Sequence, residues 1–379
     1  MDFFLKHEDG NPRNSEGAFV QLADGRLFFA YTRYNDKNNK WRDSESADIY
    51  AVTSADGGQN WSEPFLVIRN EAQNIMSVSL LRLQDGMIAM VYSRKSTIPN
   101  SSLLDCRPFI RFSSDEAQSW SEPIDIAKLP YLYLVNRNDS LVQLQCGRLI
   151  LPVSHHLYTA TPDLGIGQGI ALFFLSDDGG LTWRQSRECC YPHHSLKRGL
   201  MEPGVAELKD GRILSWFRTT NGCQYKAFSY DRGETWTDPI PASEFPSPSS
   251  PMVLKRDPED GALTAVWNDY SPTRSVRFMG GVIGRTPLVL AKSHDEGLTW
   301  TDHKVLEDAP DHGFAYTAML FAGRSLYLAY CCGGLDNCEC MLQDLKIREI
   351  RLHDTASSVS KEPGIDAQRK MEEEKRECL

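Results

Sequence analysis

Carboxylates, arginines and a tyrosine stand where predicted strands of this sequence end. In RGLMEPGVAELKDGRILSWFR (198–218), Glu202 opens one predicted strand and Arg218 closes the next, so both are expected at one sheet end. Arg285 and Tyr316 lie just outside strands in GVIGRTPLVL and HGFAYTAMLF, and Asp43 lies in the polar stretch NDKNNKWRDSESAD (35–48). Carboxylates and phenols exchange protons, and arginines bind anions. Converged, these groups would offer acid–base chemistry and anion binding; otherwise Glu202 and Arg218 are a cross-strand ion pair and Tyr316 a packed aromatic.

Repeated turns dominate the elements that must position these residues. The pattern Ser-x-Asp-x-Gly-x-x-Trp recurs about every 60 residues, with Ala117 replacing glycine in one copy. Aspartate bonds nearby backbone N–H groups, glycine supplies positive φ, and tryptophan buries a flat surface beneath the turn. A motif at near-constant spacing predicts a repeat architecture. The five copies are SADGGQNW (54–61), SSDEAQSW (113–120), SDDGGLTW (176–183), SYDRGETW (229–236) and SHDEGLTW (293–300).

Six hairpin patterns run alongside the turns, each a strand, a glycine turn and an apolar strand. They are QLADGRLFFAYTR (21–33), RLQDGMIAMVYSR (82–94), QLQCGRLILPVSH (143–155), ELKDGRILSWFR (207–218), DPEDGALTAVW (257–267) and LFAGRSLYLAY (320–330). We therefore predict an all-β fold, a single six-bladed β-propeller with four-stranded antiparallel blades over residues 1–352. The last blade needs a closing strand, from KIREIRL (346–352) or from an N-terminal segment. Residues 353–379 are charged and are predicted to be a helical or disordered tail.

Composition limits the classes of partner and the compartment. The net charge of −10 argues against nucleic-acid binding, and no apolar run is long enough to suggest a membrane span. The start of the sequence lacks the features of a secretory signal, so a cytoplasmic location is expected. Ten irregularly spaced cysteines suit a reducing compartment. The cluster CCGGLDNCEC (331–340) matches no common zinc spacing, so free thiols are favoured over a metal site.

The turn repeats, the six-blade plan and the segments around the candidate residues together resemble the exo-α-sialidase superfamily, whose repeat is called the Asp-box or BNR repeat. The resemblance covers about residues 11–352. Its pattern of a glutamate before V-x-E-L-x-D-G-R and a closing arginine fits Glu202 and Arg218, and its A-Y-S/T context fits Tyr316. Arg285 fits an arginine some 30 residues upstream of the tyrosine. The acidic residue before the first Asp-turn fits Asp43, with Asp48 at the start of DIYAVTS as the near competitor.

This resemblance implies a retaining exo-glycosidase that acts on an acidic sugar. Tyr316 would be the nucleophile and Glu202 its base, because a neutral phenol approaches an anomeric carbon that carries a carboxylate more readily than a second carboxylate would. Asp43 would protonate the leaving oxygen and later activate water. Arg218 and Arg285 would hold the substrate carboxylate.

Two positions depart from the family pattern. Its first clamp arginine aligns with Ser15, and Arg13, two residues away, would serve only if the loop shifts. The glutamate that steadies that arginine is replaced by Cys331, and Glu16 is a possible compensation. Both changes concern one subsite, so a deaminated sialic acid or an octulosonic acid becomes a candidate substrate beside sialic acid.

Further positions were weaker candidates for substrate contact or loop stabilisation. Arg33 ends the first hairpin, one residue short of a family pocket arginine. Met76 lies in QNIMS (73–77), before the second hairpin. Asn138 and Asp139 precede the third hairpin, and His155 and His156 follow its second strand.

The sequence thus predicts an exo-acting glycoside hydrolase that removes a terminal sialic acid or related ulosonic acid from a small oligosaccharide or glycoside. Neither a metal nor an organic cofactor is required by this mechanism. The alternatives are a same-fold glycosidase acting on a different sugar and a non-catalytic carbohydrate-binding propeller, because fold alone does not decide between them.

Overall fold

The computed structural model describes residues 2–101, 103–129, 132–158, 166–270, 285–334 and 342–352. These residues form six antiparallel sheets, which confirms the predicted all-β, six-bladed propeller. Every sheet is built from strands that are consecutive in the chain, except for the sheet that contains the first strand. The tail 353–379 lies outside the described residues.

The first three blades follow the chain from Asn14 to Gln185. Blade 1 holds β2 (Asn14–Gln21), β3 (Leu27–Tyr34), β4 (Ala47–Ser54) and β5 (Phe65–Ile68). Blade 2 holds β6 (Asn74–Arg82), β7 (Ile88–Thr97), β8 (Leu104–Ser113) and β9 (Ile124–Asp125). In blade 3 the inner position is shared by β10 (Leu134–Val135) and β11 (Val142–Gln143), which both pair with β12 (Leu149–Tyr158), followed by β13 (Ile166–Ser176) and β14 (Arg184–Gln185).

The last three blades complete the ring. Blade 4 holds β15 (Met201–Glu207), β16 (Ile213–Arg218), β17 (Cys223–Ser229) and β18 (Ile240–Pro246). Blade 5 holds β19 (Val253–Arg256), β20 (Leu263–Asn268), β21 (Leu288–Ser293) and β22 (Thr301–Glu307). Blade 6 holds β23 (His312–Ala322), β24 (Ser325–Gly334), β25 (Asp344–Arg351) and β1 (Asp2–Leu5).

The N-terminal strand closes the ring. β1 pairs with β25 in antiparallel register, Asp2 opposite Arg348 and Leu5 opposite Leu345. The sequence left two sources open for the closing strand, and the structure uses both. The segment 346–352 falls mainly in β25, the third strand of blade 6, and the N-terminal segment supplies the fourth.

The hydrophobic core is divided among the seams between blades. Blades 1 and 2 share one cluster that includes Phe28, Ile49, Val78 and Met90, and each of the other five seams has its own cluster. Both faces of most blades are therefore covered, which explains why strands such as LFFAYTRY are apolar almost throughout instead of alternating.

The five repeated turns connect the third and fourth strands of blades 1 to 5. In the first of them, Ser54 Oγ donates to Asp56 Oδ1 (2.9 Å) and accepts from Gly58 N (2.8 Å), while Asn60 N donates to Asp56 Oδ1 (2.9 Å). Trp61 Nε1 then donates to the carbonyl of Gly58 (3.2 Å). Serine, aspartate and glycine thus satisfy one another locally, which explains why these residues recur.

The innermost strands of four blades share one irregularity that matters for the site. Each has a β-bulge, and its first bulged residue has a positive φ: Glu16 (37°), Ser77 (61°), Glu202 (45°) and Tyr316 (57°). Such a backbone is strained for residues other than glycine and is typical of functional positions. The same local device thus presents one side chain per blade near the central axis.

The described residues contain no helix long and apolar enough to cross a membrane. Over the same residues, no three His, Cys, Asp or Glu side chains come together in a group that could hold a metal ion. Cys331 and Cys332 are buried free thiols, whereas Cys338 and Cys340 of the predicted cluster lie outside the described residues.

Candidate active site

A pocket of about 240 Å³ lies where the bulges of blades 1, 2, 4 and 6 converge. Its wall contains Glu16, Ser77, Glu202 and Tyr316, which are the four bulged residues, and also Arg218. Five of the candidate residues, which are far apart in sequence, therefore line one concave site: Asp43, Met76, Glu202, Arg218 and Tyr316. The inner strands of neighbouring blades, such as β2 and β23, contact each other around the centre of the ring, and the pocket lies among these strands.

Tyr316 and Glu202 are directly bonded. Tyr316 Oη donates to Glu202 Oε1 over 3.1 Å, although 114 residues separate them in the sequence. Arg218 Nη1 donates to both carboxylate oxygens of Glu202, at 2.9 Å each. The cross-strand ion pair considered for Glu202 and Arg218 is therefore present, and it faces a pocket and a phenol.

A second arginine lies over the phenol. The guanidinium of Arg285 is 5.3 Å from the ring centroid of Tyr316, and its Nη2 donates to the carbonyl of Ser249 (3.4 Å). Arg218 Nε donates to Oγ of the same Ser249 (3.1 Å), so the two guanidinium groups are neighbours. An anion bound beside Tyr316 would meet both cations.

Burial and nearby charges set the protonation states of Tyr316 and Glu202. Burial raises the pKa of Tyr316 well above its usual value, and the charge of Glu202 raises it further, against the opposing effect of Arg285 and Arg218. Burial would also raise the pKa of Glu202, but Arg218 overcomes this and holds the pKa below its usual value. At neutral pH a neutral phenol thus donates to an ionised carboxylate, which is the arrangement needed for Glu202 to accept the proton.

Asp43 lies at the rim of the pocket. Its side chain is 59% exposed, and Arg13 Nη1 donates to its Oδ1 over 2.6 Å. Desolvation acts to raise the pKa of Asp43, but the nearby charges of Arg13 and Lys95 hold that pKa well below its usual value. Asp48, the competitor, is buried and bonds Asn35 Nδ2 and the backbone of Asn70, so it stabilises the loop instead.

Arg13, the candidate substitute for the clamp arginine, is held by other side chains and by backbone beside the pocket rim. It is buried, and besides Asp43 it donates to Tyr34 Oη (3.5 Å), the carbonyl of Trp41 (3.3 Å) and Ser15 Oγ (2.9 Å). Its fork is therefore occupied by the protein, and it fixes the rim residue Asp43 instead of facing the pocket.

Ser15 and Cys331 occupy the altered subsite together. Ser15 Oγ lies 3.6 Å from Cys331 Sγ, and both side chains are fully buried. Two small neutral groups thus stand where the family pattern has an arginine and a glutamate. Of the two expected compensations, only Glu16 lines the pocket.

Met76 lies in the pocket, as the sequence predicted, and has a partner that was not predicted. Lys95 Nζ donates to Met76 Sδ (3.1 Å) and to the backbone carbonyl of Asp43 (3.0 Å), and it is 4% exposed. Strand alternation in VYSRKST was the available signal: with Ser93 on the pocket side of β7, Lys95 must be there too. Sequence reasoning also missed Tyr133, Asn136 and Arg198 in the wall.

Arg33, predicted as a substrate contact, is not brought to the pocket. Its Nη2 pairs with Glu8 Oε1 at 2.7 Å, and its guanidinium lies over the ring of Tyr50. The reason is the two-residue period of β3. Thr32 and Tyr34 face the site through Ser77 and Asp43, so Arg33 between them faces the other way.

Asn138, a weaker candidate, supports the backbone of Tyr316. Its Nδ2 donates to the carbonyls of Tyr316 (3.0 Å) and Gly17 (2.8 Å), joining blades 1, 3 and 6 at the axis. His156 lines the pocket and is buried, which lowers its pKa to about 4 and keeps it neutral.

A larger cleft of about 440 Å³ lies between blades 5 and 6, and none of the residues of the axial pocket lines it. Its central charges satisfy each other, since Lys292 Nζ pairs with Asp257 (2.8 Å) and Asp260 (2.7 Å). Its described wall has a positive-φ residue, Asp302 (53°), but no tyrosine bonded to a carboxylate, so the axial pocket is the better candidate for chemistry.

The chain matches the model of a known protein family. A model of the BNR repeat-like domain matches residues 98–328, more than half of the chain. The chain belongs to the BNR repeat-like family, within the sialidase superfamily. The resemblance recognised from the repeated turns is thereby confirmed.

Two curated relatives of this BNR repeat-like protein are distant in sequence. It is 24% identical over 220 residues to a sialidase from Bacteroides fragilis (strain YCH46), covering 55% of this chain and 36% of the relative. It is 27% identical over 232 residues to an anhydrosialidase from Macrobdella decora, covering 55% of this chain and 27% of the relative. The aligned regions thus span about a third of the relatives' own length.

A solved structure is similar over almost the whole propeller. The Hadza microbial sialidase Hz136 has a TM-score of 0.71 and 18% identity, covering 93% of this chain and 68% of that chain. At this identity the likeness establishes the fold of the BNR repeat-like protein and not its substrate.

Proposed function

We propose that this protein is an exo-acting, retaining glycoside hydrolase that removes a terminal acidic keto sugar, with Tyr316 as nucleophile. The observation that carries the proposal is the hydrogen bond of 3.1 Å from Tyr316 Oη to Glu202 Oε1, with two arginines beside it. A buried phenol bonded to an ionised carboxylate at a strained backbone position is costly for stability alone. The relatives named sialidase and anhydrosialidase support the same class of substrate.

In the first step, Tyr316 Oη attacks the anomeric carbon and its proton passes to Glu202 Oε1. The bond from that carbon to the aglycone oxygen breaks, and this oxygen takes a proton from Asp43. In the second step, Asp43 removes a proton from water, which attacks the same carbon. The bond to Tyr316 breaks, and the phenol recovers its proton from Glu202. Two displacements at one carbon give retention.

The arginines account for the acidic substrate. Arg218 and Arg285 converge on Ser249 beside the phenol, so they would hold a carboxylate attached directly to the carbon under attack. Asp43 is ionised without substrate, and the negative charge of a bound substrate raises its pKa toward the protonated form needed for the first step. An acidic optimum is therefore expected.

The sugar itself is proposed to be a sialic acid or a related ulosonic acid. Ser15 and Cys331 contribute no charge to the subsite that differs from the family pattern. Lys95 adds a buried cation on the wall that carries Met76. Both features suit a polar, deaminated sugar and an N-acylated sugar equally, so the substrate panel must include both kinds of sugar.

The test is release of the aryl alcohol from aryl α-ketosides of N-acetylneuraminic acid, deaminated neuraminic acid and octulosonic acid. Tyr316→Phe is the matched variant, because it deletes one oxygen and leaves the ring packed. Cleavage of one ketoside, a loss of at least about 10³-fold in the variant, and release of the α-anomer first by NMR are expected.

Lack of cleavage of all three ketosides by the folded protein would overturn the proposal. So would activity of Tyr316→Phe within about tenfold of wild type, since the phenol would then have no covalent role. Release of the β-anomer first would overturn retention alone.

A further inference from the structure

Glu16 is a buried carboxyl group in the pocket wall that the mechanism above does not use. It is 4% exposed, and it is the first bulged residue of blade 1, with φ 37°. Glu202 and Tyr316 hold the same position in blades 4 and 6. The propeller therefore presents a third functional side chain toward the axis in the way that it presents the base and the nucleophile.

Glu16 lines the pocket with one oxygen held in a hydrogen bond and the other in a looser ion pair. Ser77 Oγ donates to Oε2 in a short hydrogen bond. Oε1 lies 3.8 Å from Arg13 Nη2, beyond hydrogen-bond distance, and that nitrogen donates instead to Ser15 Oγ (2.9 Å). The backbone N–H of Glu16 donates to Cys331 Sγ (3.4 Å), which fixes the residue from the side of blade 6.

Charged groups surround Glu16 from several elements. Burial raises its pKa, the carboxylate of Asp43 raises it further, and these effects outweigh Arg13 and Ser77, so that the pKa is about 7. Glu202 adds to the rise from blade 4. The titratable and charged groups that interact with Glu16 are Arg13, Tyr34, Asp43, Arg137, Glu202, Tyr316 and Cys331.

The proposed substrate brings a further negative charge to this place. Its carboxylate is attached to the carbon that Tyr316 attacks, so it must lie within a few ångströms of Tyr316 Oη. Glu16 belongs to the same set of charges around Tyr316 as Arg218 and Arg285. An ionised Glu16 repels an incoming carboxylate, whereas a protonated one offers a neutral O–H donor.

We propose that Glu16 binds the substrate carboxylate as a neutral carboxylic acid, donating a hydrogen bond beside the two arginines. The proton on Glu16 thus binds the substrate carboxylate where a further positively charged side chain would otherwise be needed. This inference rests on the proposed function, because it requires a substrate with an anomeric carboxylate. It makes substrate capture depend on a protonated Glu16, whereas the protonated Asp43 is needed for the first chemical step.

The test compares the pH dependence of kcat/KM for wild type and Glu16→Gln on whichever ketoside is cleaved. Glutamine stays neutral and keeps an N–H donor at all pH values. Wild type is expected to lose activity above about pH 7 by one proton more than the variant. Between pH 6 and pH 8.5 the variant should therefore lose at least about tenfold less activity than wild type.

Two further variants keep the inference falsifiable if Glu16→Gln is unstable. Ser77→Ala removes the hydrogen bond that lowers the pKa of Glu16, so the alkaline limb should move to higher pH. Glu63→Gln, at an exposed glutamate between β4 and β5, is the matched control and should reproduce the wild-type profile.

The outcomes separate the two proposals. Cleavage of a ketoside with the same alkaline limb in wild type and Glu16→Gln overturns the role of Glu16 and leaves the proposed function intact. An unmoved limb in Ser77→Ala does the same. No cleavage of any ketoside by wild type overturns the proposed function, and the role of Glu16 with it.

Discussion

The Glu16→Gln variant should become more stable relative to wild type as pH rises. The pKa of Glu16 is raised from 4.5 to about 7, first by burial and then by the charge of Asp43. Between these pH values the folded chain binds a proton that the unfolded chain releases, so wild-type stability falls with rising pH and levels off above about 7. At about 1.4 kcal/mol for each pH unit, ionising Glu16 costs the fold about 3 kcal/mol. Because the side chain is only 5% exposed, solvent does little to screen this cost.

Urea unfolding of wild type and Glu16→Gln at pH 4.5, 6, 7 and 8 measures the effect. The unfolding free energy of the variant relative to wild type should rise by about 3 kcal/mol from pH 4.5 to pH 8, whatever the offset at pH 4.5. A difference constant within about 0.5 kcal/mol across this range would show that Glu16 ionises freely, and the reasoning about its surroundings would be refuted.

Glu202→Gln is the matched variant, and the pH dependence of its stability relative to wild type should have the opposite sign. Arg218 holds the pKa of Glu202 below its usual value, so ionised Glu202 stabilises the fold above about pH 4.5. That contribution is lost as pH falls through the folded-state pKa. The variant should be less stable than wild type at pH 6 to 8, and the deficit should shrink in acid. The two variants, at equivalent bulges, thus respond to pH in opposite directions.

Three other substitutions have expected outcomes. Arg218→Lys removes a planar fork that bonds Glu202 and Ser249, so kcat/KM on the cleaved ketoside should fall by about 10² or more, with an increase in KM. Arg33→Ala deletes a surface ion pair outside the pocket, so it should change the unfolding free energy by less than about 1 kcal/mol and leave kcat/KM near wild type. Gly204→Ala places a Cβ 2.2 Å from the Trp216 ring, so thermal unfolding should show a loss of about 1–3 kcal/mol.

The architecture could be predicted from the sequence because its signals are local and repeated. The Asp-turns depend on hydrogen bonds within eight residues, such as Ser54 to Asp56, so each copy can be recognised alone. Tyr316, Glu202 and Arg218 were found through the motifs around them, and the structure brings the three into direct contact.

The remaining site residues depend on details that one sequence does not reveal. Side chains alternate along β3, so Thr32 faces the axis and Arg33 faces away, and an error of one position in reading the strand exchanges them. Arg13 was considered as a clamp because it is near Ser15 in sequence, but its contact with Asp43 forms across a loop. Lys95 was missed because its partners are a sulfur atom and a backbone carbonyl, which no motif marks.

The strand β1 gives the order of synthesis a consequence for the site. It precedes all the other described strands in the chain, yet its partner β25 follows all of them. Glu16 and Asp43 come from the first blade and Tyr316 comes from the last, so the pocket has no complete wall on a nascent chain. A chain halted before β23 would lack Tyr316, so the enzyme proposed here cannot act until the last blade has been made.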